Sequence, residues 1–137
     1  MTEIGYCGDD CSSCPRYMAT VSNDITKFKD AAMMWKRVGW RGTVLDTNEI
    51  KCGGCKTVQW CRYNDIRECA IARHLNNCGE CYEYPCNKLD NVFKKTASYA
   101  KDCEAIFSKG DFAILSKAFF TKKNNLNLIN KNLNNST

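Results

Sequence analysis

Residues 51–89 read KCGGCKTVQWCRYNDIRECAIARHLNNCGECYEYPCNKL and carry seven cysteines: Cys52, Cys55, Cys61, Cys69, Cys78, Cys81 and Cys86. Within this stretch only DIRECAIARHL has helical spacing, with Ile66, Cys69 or Ala70, and Leu75 able to share one face. So little apolar surface cannot hold the segment together, and metal–thiolate bonds would supply what the core cannot. The expected fold is therefore mainly α: a small cysteine-rich, metal-stapled domain with zinc-knuckle-like turns, followed by C-terminal helices.

Upstream, YCGDDCSSCP at residues 6–15 adds Cys7, Cys11 and Cys14. The chain thus has three C-x2-C pairs: Cys11/Cys14, Cys52/Cys55 and Cys78/Cys81. Two residues between thiols let one tight turn aim both sulfurs at a single ion, and Gly53, Gly54 and Gly79 suit such turns. Ten cysteines are candidate metal ligands: Cys7, Cys11, Cys14, Cys52, Cys55, Cys61, Cys69, Cys78, Cys81 and Cys86. They suffice for two four-thiolate sites with two left over. One plausible division joins Cys7, Cys11 and Cys14 with Cys86, and Cys52 and Cys55 with Cys78 and Cys81. His74, the only histidine, either completes a Cys3His site or is a surface imidazole.

Eleven cysteines in 137 residues approach the level of a stapled scaffold. The opening TEIGYCGDDC is acidic and lacks the features of a signal peptide, and no apolar run approaches the roughly 18 residues of a membrane span. A reducing cytoplasm is the expected location, where clustered thiols bind metal rather than form disulfides. Net charge is +5, yet residues 1–89 hold twelve basic and eleven acidic side chains, so the excess lies in the cysteine-poor remainder. A nucleic-acid-binding knuckle usually carries the basic footprint itself.

Pro15 suits the first turn of a helix. A second helix is expected near Asp24, capped by Ser22 or Asn23, with Ile25, Phe28, Ala32, Trp35 and Val38 on one stripe and Gly39 ending it. Met33, Met34 and Trp35 read as core packing. Residues 40–51 read as a loop or short extended passage. Val92, Thr96, Tyr99, Cys103 and Ile106 step along a further helix ended by Gly110. Asp111 can cap another that bears Phe112, Leu115 and Phe119. Cys103, on the apolar stripe, reads as a buried core thiol. The tail from residue 124 holds seven asparagines. It could extend a helix through Leu126, Ile129 and Leu133, with a frayed end. The organisation expected is a metal-binding domain over 1–89 and a helical extension over 90–137 packing on it.

YCGDDCSSCPRYMAT, IKCGGC and IRECAIARHLNNCGECYEYPCNKL, in that order, resemble the uncharacterised cysteine-rich prokaryotic domain of unknown function family 3795 over about residues 5–89. The chain departs from the family pattern at Asn64, where a cysteine is usual, with Cys61 just upstream. The resemblance implies a compact soluble metal-binding domain and no particular reaction.

C-x2-C turns separated by long intervals favour zinc, with a [4Fe–4S] cluster as the alternative. The C-x3-C-x2-C of Cys7, Cys11 and Cys14 is also the radical-SAM spacing. However, the chain is too short for that barrel, and Ser13 stands where an aromatic residue is usual. There is no second histidine for proton relay, no glycine-rich phosphate loop and no HExxH pair. The leading expectation is an accessory or partner-docking module with structural zinc and a protein partner, outside the membrane. Nucleic-acid binding through Lys56, Trp60, Arg62, Tyr63 and Arg67 is possible but less favoured, and any spare thiol such as Cys61 could act in redox sensing.

Overall fold

A computed structural model describes residues 3–57 and 61–135. Among these residues the regular structure is helical, apart from one isolated bridge between Ile4 and Asp10. Helix α1 spans Pro15–Ser22, with Pro15 in its first turn, and ends where Asn23 turns left-handed at φ 52°. Helix α2 spans Ile25–Arg37, and its cap is Asp24, whose carboxylate accepts the Thr26 amide at 2.9 Å. The expected caps, Ser22 and Asn23, are already used in finishing α1, because the two helices are joined almost without a linker.

Phe28, Ala31, Ala32 and Trp35 are buried along α2. Ile25 and Met33 are 64 % and 61 % exposed, so neither joins the core expected for them. Met33 lies on the face away from Trp35, two residues around the helix. The stretch expected to be a loop contains α3, Thr47–Ile50. Asp46 and Glu49 form a reciprocal capping box there, which lets so short a turn close and buries Ile50 completely.

Helix α4 is Asn64–Ala72, α5 Asn87–Ile106, α6 Lys109–Phe119 and α7 Lys122–Asn135. Gly110 does not end α5. The chain leaves that helix at Phe107, extended in backbone and buried in side chain, and Ser108 caps α6 by accepting the Asp111 amide. Gly110 and Asp111 therefore lie in the first turn of α6.

Two apolar clusters form. The first joins α1, α2, α3 and α6 through residues such as Phe28, Trp35, Ile50 and Leu115, and Cys103 of α5 is fully buried in it. The second gathers Ile66, Ala70, Leu89, Val92 and Leu126 around Cys7 and Cys78. Helix α5 is long enough to serve both, its N-terminal half in the second cluster and Cys103 in the first.

The asparagine-rich tail is anchored by its side chains. Leu126 is fully buried, Asn125 donates to the Gly8 carbonyl at 2.9 Å, and Asn130 donates to the Gly79 carbonyl at 3.0 Å. Helix α7 thus clasps two of the cysteine-bearing turns, and only its last turn is wholly exposed. Among the described residues no helix is long and apolar enough to cross a membrane.

Candidate metal centres and an adjoining cavity

Helix α4 presents Cys69 in its last turn and then ends in a Schellman motif. The His74 amide donates to the Ile71 carbonyl at 3.0 Å, and the Leu75 amide to the Ala70 carbonyl at 2.9 Å. The reversal leads into a short 3-10 turn at Cys78–Glu80, where the Asn77 side chain accepts the Gly79 amide at 2.9 Å. Cys81 follows, and Cys86 sits at the N-cap of α5. Cys69, Cys78, Cys81 and Cys86 line one cavity of about 250 Å³. Burial pushes the Cys78 thiol up to about 12, and the neighbouring Cys86, Cys69 and Cys81 act in the same direction. Arg73 donates to the Cys81 sulfur at 3.1 Å and to the Glu83 carboxylate at 3.1 Å. His74 is exposed and does not line this cavity. No Cys3His arrangement forms there.

The other six candidate thiols line a larger cavity of about 710 Å³. Cys55 stands at the centre of four of them. It accepts the Tyr6 amide at 3.2 Å and the Cys11 thiol proton. That donation raises the Cys11 pKa and lowers that of Cys55. Cys7 and Cys61 are near enough that a charge on Cys55 raises both, though burial is the larger cause for each. Gly5 makes room for this group: a Cβ there would lie 2.9 Å from the Cys55 sulfur and 3.4 Å from that of Cys11. No sequence motif singled Gly5 out.

Cys14 and Cys52 stand together instead. Arg16, two residues past Cys14, donates to the Ile50 carbonyl at 2.8 Å, and Thr20 accepts the Cys52 amide at 2.9 Å. These bonds lay residues 49–52 along α1. Burial raises the Cys14 thiol to about 12, and Cys52 adds to the rise. Cys11, Cys14, Cys52 and Cys55 all line this one larger cavity, and the Cys11–Cys55 and Cys14–Cys52 interactions run between the two C-x2-C pairs. Cys86 lines the smaller cavity with Cys69, Cys78 and Cys81, whereas Cys7, Cys11 and Cys14 line the larger one with Cys52 and Cys55. Cys14 closes the short 3-10 turn Cys11–Ser13, its amide donating to the Cys11 carbonyl at 3.0 Å, and helix α1 begins directly after it. Among the described residues no three His, Cys, Asp or Glu side chains converge as a ready-made metal site. The thiols border cavities rather than touching at a point.

Between the first thiol group and α7 lies a buried ion pair of Asp9 with Lys122, whose ammonium also donates to the Phe119 carbonyl at 2.8 Å. Burial raises the Asp9 carboxyl, and Lys122 opposes that rise. Across the cavity, Trp35, Trp40 and Phe119 pack edge to face with centroids 5.2–5.8 Å apart. Of the residues considered for nucleic-acid binding, Arg62 and Lys56 are exposed and lie over the Tyr99 and Tyr6 rings at 4.9 and 5.7 Å, and half-buried Tyr63 faces Lys122 at 5.5 Å. Trp60 lies outside the described residues.

No curated protein and no solved structure shows a match to the chain. A family model described as Protein of unknown function (DUF3795) matches residues 3–91, which include every one of the ten candidate thiols. The chain belongs to that family.

Proposed function

We propose that this is a small zinc-binding protein of the reducing cytoplasm, in which two groups of four thiolates each hold one structural ion. The first group is Cys7, Cys11, Cys55 and Cys61, and the second is Cys69, Cys78, Cys81 and Cys86. The observation that carries this reading is the tertiary sorting of cysteines spread over eighty residues into two neighbourhoods, with Cys103 kept apart in the core. Burial, with a smaller contribution from neighbouring thiolates, opposes ionisation of Cys7 in the first group and of Cys78 in the second. A divalent cation removes that opposition, because it takes thiolate rather than thiol. The Tyr6 amide and the Arg73 guanidinium would then serve as outer hydrogen bonds to ligating sulfur.

Four-thiolate zinc is coordinatively closed, so it builds structure rather than activating water. The role that follows is an accessory module docking on a protein partner. Elemental analysis of the full chain tests the metal reading. Two zinc ions per chain are expected, with one lost in Cys55→Ser, one lost in Cys81→Ser, and none lost in Cys103→Ala. Iron with visible absorbance would replace zinc by [4Fe–4S] clusters. Unchanged zinc in both serine variants would overturn the assignment of ligands.

A further inference from the structure

The larger cavity has a second end, beside Cys14 and Cys52, that neither proposed zinc site uses. Arg16, Arg41 and Arg62 stand on its wall together, close enough that Arg16 and Arg62 both depress the Arg41 pKa, after the effect of burial. None of the three makes an ion pair among the described residues. Arg16 and Arg41 donate only to backbone carbonyls, of Ile50 and Trp40 among others, and Arg62 lies over a ring. The two acids on the described wall are engaged elsewhere: Asp9 with Lys122, and Glu49 in the capping box of α3. A fourth guanidinium on the same wall, Arg67, has its Nε buried without a hydrogen-bond partner.

Gathered guanidiniums repel one another and are under-satisfied without an anion. Arg67 acts on Cys61 and Arg16 on Cys14, while Arg62 acts on Arg41. The same end is aromatic, with Trp35, Trp40 and Tyr99 on its wall. The whole cavity, thiol-lined part included, has a volume of about 710 Å³, within the range of small-molecule sites.

We propose that this end of the cavity binds an anionic planar small molecule, its phosphate or carboxylate held by Arg16, Arg41 and Arg62 and its ring against Trp35, Trp40 and Tyr99. The anion supplies the paired acceptors that the Arg41 and Arg62 forks lack, Arg16 adds its charge, and the aromatic wall excludes water around them. The site is independent of metal identity, although it shares a cavity with the first thiol group.

Calorimetric titration of the metal-loaded full chain tests this with four probes: ADP and phthalate as planar anions, adenosine as the uncharged counterpart, and inorganic phosphate. ADP or phthalate should bind in the millimolar range or tighter, more weakly with added salt, and better than adenosine or phosphate alone. Which of the two binds identifies phosphate or carboxylate as the anion. Arg41→Gln and Arg62→Gln should each weaken the planar anion about tenfold, the loss of one charge-assisted contact, with zinc content and melting unchanged. Binding of neither planar anion, or equal binding of ADP and adenosine, overturns the proposal. So does a loss of zinc in the Arg41→Gln and Arg62→Gln variants with no anion bound, which would make the arginines partners of the thiolates. Binding by protein that contains no metal would leave this inference standing while sinking the zinc reading.

Discussion

His74 carries the only imidazole in the chain, and its backbone accounts for its place. It occupies the left-handed position that ends α4, at φ 57°, where glycine is usual. A side chain in that conformation costs about 1 kcal/mol. We predict that His74→Gly raises stability by about 0.5 kcal/mol, part of the gain being offset by the freer unfolded chain. Urea unfolding would read this, and zinc content should not change. A fall in either would mean that the imidazole is used. Cys103 was legible because its apolar stripe is local. Lys122 was not: nothing in FTKKNN marks one of two adjacent lysines as buried, and only Asp9, more than a hundred residues earlier, makes that burial tolerable.

At the level of elements, the periodic helices α2, α5 and α6 were visible because each buries one face, and their errors lie at the ends. Asp24 caps α2 in place of Ser22 or Asn23, Ser108 caps α6 in place of Asp111, and a capping box at Asp46 and Glu49 closes a turn where the residue pattern suggests a loop. Helix α7 was the least legible, since asparagine is a poor helix former in isolation and its anchoring contacts are distant. The turn it grips leaves no room. A Cβ on Gly8, which has φ 101°, would lie 2.7 Å from the Lys122 carbonyl and 2.8 Å from Leu126. Gly8→Ala should therefore cost about 3 kcal/mol, combining left-handed strain with overpacking. Gly39→Ala, equally left-handed at φ 84° but facing open space, should cost only about 1 kcal/mol. Similar losses in the two variants, measured by thermal melting, would show that α7 is not seated against that turn.

For the molecule as a whole, α5 and α7 hold the two clusters together. Removing residues 122–137 would open the second cluster at Leu126, strand Asp9 without its cation, and free the carbonyls of Gly8 and Gly79. A chain ending at residue 121 is expected to lose the single cooperative unfolding transition of the full chain, because a half-emptied core and an unpaired buried carboxylate exceed the usual margin of a small domain. A sharp transition at the original denaturant midpoint would contradict this.

By itself, the sequence determined the helical class, the ten candidate thiols, the buried place of Cys103 and membership of the family. Each of these depends on residue type or on spacing within one element or motif. Tertiary structure decided how the thiols are sorted, why Gly5 and Gly8 must be small, what the tail asparagines hold, and that three arginines share a cavity wall. Those outcomes depend on packing between segments up to 117 residues apart. Two thiols in one C-x2-C turn are neighbours along the chain, but which sulfurs face each other depends on where the next helix begins and which segment lies beside it.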